Sequence, residues 1–356
     1  MAARSIPASI PRFLRLFLVA LAVLAIGCSS ATPTSAPTIE PGATSLLPTS
    51  APPTSSEPSA APAPTFPVTL TDDEGTQVTI PAEPQKIVPL TPATTETLFA
   101  LGAGSRIVGK VQDPANYPPA AASIPEVATF AGVDVEKIIA SGADLVVSGG
   151  TGLTQGDAVT KLRAAHIPVV VSYPTSIAGA LRGIKLIGTA VGLRDAATTL
   201  ADQMQAEISA LTRIGSTAPD QPRLFYEVDV TGGIFTPPAN SIYGEMFLLA
   251  GSKPIAGDAS YSISLENLVA ADPEVILLGD GAYGATPDAV GKRAGWEGMT
   301  AVKNGKIVAV DDIVITRPGP RLVQGLYDLV TAIHPGIAID VPGMSFPAVA
   351  PSVAPS

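Results

Sequence analysis

The stretch "VEKIIASGADLVVSGG" at Val135–Gly150 decides the fold, because it aligns without a gap to "LENLVAADPEVILLGD" at Leu265–Asp280. In each copy a glutamate opens an apolar helical turn, a turn with an aspartate follows, and a buried strand ends in glycine. Glu136 and Glu266 occupy equivalent positions. Any helix-to-strand unit shares part of this pattern, since acids are favoured in the first turn of a helix. The repeat favours two lobes of similar build, each presenting one acid at a matched position.

Predicted strands and helices alternate on both sides of the repeat, which indicates an α/β fold with parallel sheets. From 176 to 214 the chain reads as helical, with a break expected near Gly192. We therefore predict an N-terminal lobe over 68–175, one long connecting helix over 176–214 and a C-terminal lobe over 215–336, with a ligand cleft between the lobes. The predicted buried strands are "KIVPL" (86–90), "RIVGK" (106–110), "DLVVS" (144–148), "IPVVVS" (167–172), "RLFYEV" (223–228), "VILLG" (275–279) and "KIVAV" (306–310).

The N-terminus carries an export signal. Three arginines precede a short apolar core, 16–26, and Gly27 is a small residue at the junction, so we predict a signal peptide over 1–27. The core is shorter than the roughly 20 apolar residues of a membrane-spanning helix. Ala25-Ile26-Gly27-Cys28 resembles the lipobox of bacterial lipoproteins, so we expect Cys28 to be lipidated and to hold the chain on a membrane. The alternative is a plain secretory signal with a chance cysteine.

Two segments are predicted to be disordered. Residues 28–67 are rich in Pro, Ser, Thr and Ala and carry only Glu40 and Glu57 as charges, which predicts a flexible linker behind Cys28. Residues 337–356 have a similar composition and are expected to be a disordered tail. This arrangement predicts an extracytoplasmic protein, lipid-anchored at the outer face of the cell membrane or periplasmic.

The charge balance excludes some partners. The chain has 21 Lys and Arg against 31 Asp and Glu, and without 1–27 the balance is 18 against 31, a net charge of −13. No basic cluster exists outside the signal, so we expect no nucleic-acid partner. The single cysteine excludes disulfides within the chain.

The motif "GDGAYG" at 279–284 matches the G-x-G-x-x-G pattern of dinucleotide-binding sites and follows a predicted strand. Such a site needs a helix directly after the glycines to receive the pyrophosphate. Here Pro287, Gly291, Gly295 and Gly298 follow, which disfavours a helix. We therefore expect a glycine-rich loop that lines a cleft.

Catalytic motifs are absent from the sequence. The two histidines, His166 and His334, have no metal-ligand spacing, and no nucleophile elbow, P-loop or H-E-x-x-H motif occurs. We expect a protein that is not an enzyme and has no resident cofactor or metal. The alternative is an exported α/β enzyme with Glu227 or Asp229 as general base.

Several polar or aromatic residues fall in predicted loops after strands or at strand ends, where open α/β sheets bind ligands. As a set they predict a cleft that offers stacking and cationic groups. They are Tyr117, Phe130, Tyr226, Glu227, Tyr261, Trp296, Arg317 and Arg321.

From Val68 to Pro335 the chain resembles the substrate-binding proteins of ABC importers for cobalamin and ferric siderophores. The resemblance implies two α/β lobes joined by a long helix, a large chelate bound between them, a permease and ATPase complex as partner, and a monomer. Matching stretches are "NYPPAAASIPEV", "VDVEKIIASGADLVV", "ISLENLVAADPEVILL", "GWEGMTAVKNGKIVAVDD" and "TRPGPRLVQGLYDLVTAIHP".

The resemblance also implies roles for individual residues. One glutamate of each lobe docks into arginine pockets of the permease in that family, and Glu136 and Glu266 match this pair. Tyr117, Phe130 and Tyr261 match aromatic positions that pack on the corrin ring, and Arg317 matches a cleft arginine. Tyr226 and Trp296 complete the set of ligand-binding residues that we expect.

The ligand stays open at this point. Cobalamin or another corrinoid is the first candidate, although the best-known corrinoid binders have several tryptophans in the cleft and this chain has one. A ferric siderophore is the second candidate, and Arg317, Arg321 and Arg293 would then be partners of an anionic ligand. Haem is a further alternative, with Tyr117 or Tyr261 as iron ligand.

Overall fold

A computed structural model describes residues 66–129, 131–150, 154 and 157–344. In these residues strands and helices alternate as the apolar runs predict. The strands are β1 (Val68–Thr71), β2 (Gln77–Ile80), β3 (Ile87–Pro89), β4 (Lys110–Val111), β5 (Glu126–Thr129), β6 (Gly132–Val133), β7 (Leu145–Ser148), β8 (Val169–Val171), β9 (Arg223–Glu227), β10 (Lys253–Pro254), β11 (Val275–Leu278) and β12 (Ile307–Ala309). The helices are α1 (Pro92–Ala100), α2 (Val135–Ala140), α3 (Ala158–Ala164), α4 (Ile177–Ala190), α5 (Arg194–Ser216), α6 (Ile242–Leu249), α7 (Leu265–Ala271), α8 (Pro287–Gly291), α9 (Thr300–Lys303), α10 (Asp312–Thr316) and α11 (Leu322–Ile333).

Each lobe is built on a parallel sheet. In the N lobe the strand order is β3-β7-β8, and in the C lobe it is β10-β9-β11-β12. Both sheets are parallel throughout, with Val88 opposite Val146 and Tyr226 opposite Leu277. An antiparallel hairpin, β1–β2, and a small sheet of order β4-β5-β6 complete the N lobe. The predicted α/β class with parallel sheets is confirmed.

The sequence repeat corresponds to a structural repeat. The first copy forms α2 and β7, and the second forms α7 and β11 at the same spacing. Ile138 and Leu268, at matched positions, are both fully buried, whereas Glu136 and Glu266 lie exposed in the first turns of α2 and α7. Each helix is capped by a short polar side chain, because Asp134 and Ser264 accept a backbone N–H from the first turn.

The segment predicted as one connecting helix consists of two helices, α4 and α5. The break falls at the expected place, because Gly192 has a φ of +79° and ends the helix in the left-handed conformation. A side chain there would be strained at that φ, and its Cβ would lie 3.3 Å from both Glu83 and Phe66. The two helices pack closely where Gly188 meets Ala197, since a Cβ at Gly188 would lie 2.1 Å from that of Ala197.

The core is continuous between the lobes. One cluster of buried side chains runs from the N-lobe sheet (Ile87) through α4 (Ile184) and α5 (Leu211) to the C-lobe sheet (Leu224) and α11 (Leu329). Two further clusters cover the opposite faces of the two sheets, one around Val146 and one around Ile276. The strands β3, β7, β8, β9 and β11 are therefore buried on both faces, which explains why they read as unbroken apolar runs, whereas Val308 of β12 is exposed.

One predicted strand differs from the structure. "RIVGK" (106–110) does not join the N-lobe sheet as a full strand. Only Ile107 bridges Ile87 of β3, and Lys110 begins β4 of the small sheet. Gly109 packs against Val127, where a Cβ would approach the valine side chain to 2.8 Å, and this contact directs the segment towards β5.

The predicted signal peptide, the lipidation site Cys28 and the linker up to 65 lie outside the described residues, as does the tail from 345. Among the residues that are described, no helix combines the length and apolar character needed to cross a bilayer.

Candidate functional site

A cavity of about 620 Å³ lies between the lobes, beside α4. This is a usual size for a small-molecule site. The N lobe lines it with residues 91–94 and 172–175, which follow the carboxyl ends of β3 and β8, where open α/β sheets bind ligands. The C lobe contributes Ser241, Tyr243, Tyr261, Thr316 and Arg317.

Three tyrosines line this cavity: Tyr173, Tyr243 and Tyr261. Tyr173 and Tyr261 are exposed, so their rings are available for stacking on a planar ligand. Burial, together with the nearby Tyr261, Asp312 and Tyr173, raises the pKa of Tyr243 to about 12. The Tyr243 hydroxyl is therefore a neutral donor, and it donates to the carbonyl of Thr316 at 3.2 Å.

The backbone of Tyr261 is held in an unfavourable conformation, with a φ of +64°. Two backbone hydrogen bonds hold it there: its N–H donates to Asp258, and its carbonyl accepts from Thr236, both at 2.9 Å. Gly257 packs against the same turn. Strained residues of this kind cluster at functional sites, which agrees with the position of Tyr261 on the cavity wall.

Arg317 lines the cavity, but its guanidinium is already occupied by two acids of the opposite lobe. Its Nη1 and Nη2 donate to the two carboxylate oxygens of Asp113 at 2.9 and 2.6 Å, and Nη1 also donates to Glu96 at 2.9 Å. Burial acts to lower the pKa of Arg317, but its hydrogen bonds with Asp113 and Glu96 outweigh this and raise the pKa above its usual value. Arg317 is thus a fully ionised side chain with its charge matched inside the protein.

Arg321 is occupied in the same way. Its Nε and Nη2 donate to the two oxygens of Glu96 at 2.9 and 2.7 Å, a bidentate pair. Its guanidinium carbon also lies 3.9 Å from the centre of the Tyr117 ring. We call Glu96, Asp113, Arg317 and Arg321 the interlobe ion cluster, since the acids belong to the N lobe and the arginines to the C lobe.

The two acids of the cluster are buried, whereas the two arginines keep part of their surface exposed. Glu96 and Asp113 are only 3% and 5% exposed. Burial acts to raise the pKa of Asp113, but the hydrogen bond and charge of Arg317 outweigh it and hold the pKa below its ordinary value. Tyr117 covers one side of the cluster and keeps part of its ring exposed, so it remains a candidate contact for a ligand.

The third candidate arginine for an anionic ligand, Arg293, is also paired. It binds the fully buried Glu227 through both oxygens, with Nη2 to Oε1 at 2.9 Å, and stacks over Trp296 at 4.8 Å. Asp280 lies next to this pair. Burial, with the charge of Glu227 and a hydrogen bond to it, raises the pKa of Asp280 to about 7.

Tyr226 and Trp296 do not line the cavity, which corrects the expectation that they contact a ligand. Tyr226 is 1% exposed, stacks on Phe247 and donates its hydroxyl to Asp312 at 2.7 Å. Trp296 is 3% exposed and packs edge-on against Phe225 in the core. Both rings are buried because the C-lobe sheet is covered by side chains on both faces. Tyr226 packs on one face of the sheet, and Trp296 packs on the other.

The remaining predicted residues have different outcomes. Tyr261 and Arg317 lie on the cavity wall, and Tyr117 lies beside the interlobe ion cluster. Phe130 lies outside the described residues. Glu136 borders a surface hollow with Val133, Val135 and Ile139, and this position leaves its carboxylate accessible to a partner.

Close packing explains why glycines are needed in "GDGAYG". They form a short 3-10 turn over 279–283 rather than the start of an α-helix. A Cβ at Gly279 would lie 2.5 Å from the Tyr226 hydroxyl, and one at Gly281 would lie 3.0 Å from Ala309. Gly284 has a φ of +106°. The turn therefore lacks the helix N-terminus of a nucleotide site.

The described residues contain no group of three or more His, Cys, Asp and Glu side chains able to hold a metal ion. His334 is buried near the end of α11, where its Nε2 lies 3.0 Å from the carbonyl of Ala250. The two proposed general bases also have other roles: Glu227 pairs with Arg293, and Asp229 accepts the N–H of Thr231. Neither borders the cavity.

Sequence reasoning missed Glu96, Asp113, Tyr173 and Tyr243. Tyr173 follows the predicted strand at 167–172, so the same rule that selected Tyr117 and Tyr261 would have found it. Glu96 is the one charged residue of its predicted helix, and a charge that such a helix buries requires a partner. Asp113 and Tyr243 carry no comparable signal in the sequence.

A family model described as "Periplasmic binding protein" matches residues 87–314, which is more than half of the chain. The chain belongs to this family. Its relatives are substrate-binding proteins of ABC transporters, a class that binds vitamin B12, haem or siderophore-type ligands, and this protein is not an enzyme.

Two curated relatives are similar over most of their length. The chain is 32% identical over 276 residues to an uncharacterized ABC transporter substrate-binding lipoprotein, YvrC, of Bacillus subtilis, covering 76% of this chain and 86% of that protein. It is 31% identical over 281 residues to a cobalamin-binding protein of Halobacterium salinarum, covering 76% and 74%.

Solved structures share the fold. The periplasmic haem-binding protein RhuT from Roseiflexus superposes with a TM-score of 0.63 at 27% identity, covering 70% of this chain and 98% of that one. The vitamin B12-binding protein BtuF of Vibrio cholerae gives a TM-score of 0.61 at 22% identity, covering 70% and 97%. The likeness to BtuF shows the shared fold of two α/β lobes.

Proposed function

We propose that this protein captures cobalamin or a closely related corrinoid in the interlobe cavity and delivers it to an ABC permease. Tyr173, Tyr261 and Tyr117 supply the ring surface for the macrocycle. Serine, threonine and tyrosine hydroxyls around the cavity supply hydrogen bonds to its amide groups.

The observation that carries this proposal is the charge balance of the cavity. Among the described residues that line it, Arg317 is the one cation, and its charge is matched by Asp113 and Glu96. Arg321 and Arg293, the other candidates for an anionic ligand, are paired with carboxylates too. An anionic ferric siderophore would have to compete with these internal acids, whereas a ligand without net negative charge would not.

The named relatives support the same choice. A protein 31% identical to this chain is described as cobalamin-binding, and others at about a quarter identity are described as vitamin B12-binding. Haem is the second candidate. The cavity tyrosines favour it, since tyrosine is one of the side chains that ligate haem iron, and a haem-binding protein is 27% identical in sequence.

We further propose that Glu136 and Glu266 dock the loaded protein onto the permease, and that lipid on Cys28 keeps it at the membrane surface. The matched positions of the two glutamates, one exposed in each lobe, support the docking role. The Bacillus subtilis relative is named as a lipoprotein, which supports the anchor.

The proposal is tested by thermal unfolding of the purified chain with a panel of ligands. The panel contains cyanocobalamin, haem, an uncharged ferric tris-hydroxamate and a trianionic ferric tris-catecholate. A ligand that binds only the folded state raises the unfolding temperature, and at 100-fold excess over its Kd it adds about 2.7 kcal/mol. We expect cyanocobalamin to give the largest rise. A larger rise with the tris-catecholate would contradict the proposal, and one with haem would favour the second candidate.

A further inference from the structure

The interlobe ion cluster is built from two acids on one lobe and two arginines on the other. Asp113 holds Arg317 through both carboxylate oxygens, and Glu96 holds Arg321 in the same manner while also accepting from Arg317. Two negative and two positive charges therefore meet, and the cluster is neutral.

Other charges near the cluster are a lysine–glutamate pair and Asp312, a buried acid that accepts from Tyr226 and interacts electrostatically with Arg317. Lys110 shares a small hollow with Asp113 and Tyr117, and its ammonium lies 3.6 Å from the carboxylate of Glu126. This neighbouring pair is also neutral. Arg317 belongs both to the cluster and to the cavity wall. A change in the net charge of the cluster would therefore change the electrostatic potential at a bound ligand.

We propose that Glu96 and Asp113 are specificity-determining residues, which exclude anionic chelates by neutralising Arg317 and Arg321. The inference rests on the proposed function in one respect, that the interlobe cavity is the ligand site.

The physical reason is competition for the same donors. A guanidinium bound to a carboxylate through two hydrogen bonds has few free N–H groups in that direction. An anionic ligand would have to displace a buried carboxylate and leave it unpaired, which is strongly unfavourable. A neutral ligand leaves every pair intact. If the two acids became amides, the same cluster would carry two unmatched positive charges next to the cavity.

The test is the double variant Glu96→Gln plus Asp113→Asn, which keeps the shape of both side chains. Calorimetric titration of the full chain compares the trianionic ferric tris-catecholate with the uncharged ferric tris-hydroxamate and with cyanocobalamin. We expect the variant to bind the tris-catecholate at least about tenfold more tightly than the native protein does, because new charge-assisted hydrogen bonds form. The gain should shrink as salt is added, while the affinities for the two other ligands stay within about threefold.

The matched control is Glu274→Gln. Glu274 pairs with Arg223 at 3.2 Å in the C lobe, away from the cavity, so the variant loses one acid without changing the interlobe ion cluster. We expect it to bind all three ligands as the native protein does. If the double variant does not fold, Asp113→Asn alone is measured instead: it removes the two-oxygen partner of Arg317 and leaves this arginine only its bond to Glu96.

A folded variant with no gain for the tris-catecholate would overturn the inference. So would a native protein that already binds the tris-catecholate as tightly as the variant. Failure of the proposed function gives a different result: neither protein would bind cyanocobalamin, while the ratio of anionic to uncharged chelate affinity would still report the effect of the two acids.

Discussion

At the scale of single residues, the charge of Arg317 is balanced by two acids of the opposite lobe. Arg317 was expected in the cleft and lies on the cavity wall, yet its acids are 221 and 204 positions away in the chain. No local pattern indicates that a residue so distant neutralises it. The sequence could predict that an arginine lies at the site. It could not predict that the charge of this arginine is neutralised, because the neutralising acids come close only in the folded protein.

Tyr226 and Glu227 give the same lesson for two neighbours. Both lie near the end of a predicted strand, and this position predicts that both side chains reach the cleft. Successive side chains of a strand point to opposite faces, so Tyr226 packs on Phe247 while Glu227 reaches Arg293 on the other face. Because this sheet is covered on both sides, its strand end was buried and the two residues became part of the core.

Asp280 leads to a pH prediction. Its pKa in the folded protein is about 7, against an ordinary value of 3.8, with burial as the main cause. Between these values the folded protein holds a proton that the unfolded chain has lost, so the stabilisation is complete below about pH 4 and is lost as the pH rises through 7. We expect the unfolding temperature to rise as the pH falls from 8 to 5, and Asp280→Asn to weaken that dependence.

Asp328 should cause the pH dependence of stability that remains in the Asp280→Asn variant. Burial raises its pKa to about 6, so it acts in the same direction and keeps acting in the Asp280→Asn variant. Thermal unfolding between pH 5 and pH 8 measures both proteins. Equal pH dependence in the native protein and the variant would show that Asp280 does not hold the proton.

At the scale of elements, the helices and strands could largely be predicted, because short apolar runs buried on both faces leave few alternatives. The repeat located α2–β7 and α7–β11, and the glycine near 192 indicated the break between α4 and α5. The prediction of one full strand at "RIVGK" is wrong for a physical reason. Gly109 packs against Val127, so Ile107 contacts β3 while Lys110 pairs with β5.

The matched helices α2 and α7 carry the prediction about the partner. The double substitution Glu136→Ala plus Glu266→Ala removes two exposed carboxylates, so it should leave ligand affinity unchanged and abolish uptake through the permease. Uptake by cells that carry the variant, together with titration of the purified variant, measures both effects. The control is Asp195→Ala plus Glu297→Ala, which removes two exposed acids elsewhere and should leave uptake intact. Loss of ligand binding in the first variant would refute a docking role.

At the scale of the whole molecule, two features join the lobes. The core passes without interruption from the N-lobe sheet through α4 and α5 into the C lobe, and the interlobe ion cluster ties α1 to the start of α11. Both features oppose a wide opening, so we expect ligand entry to need only modest movement of the lobes. The one cation on the described cavity wall, Arg317, has its charge matched within the protein.

The most direct test of this account is calorimetric titration of the full chain with cyanocobalamin at low and at high salt. We expect one site per chain, a sub-micromolar Kd and an affinity that salt changes little, because no ion pair forms between ligand and protein. An absence of binding, or an affinity that falls steeply with salt, would contradict the claim that a charge-balanced cleft captures a corrinoid.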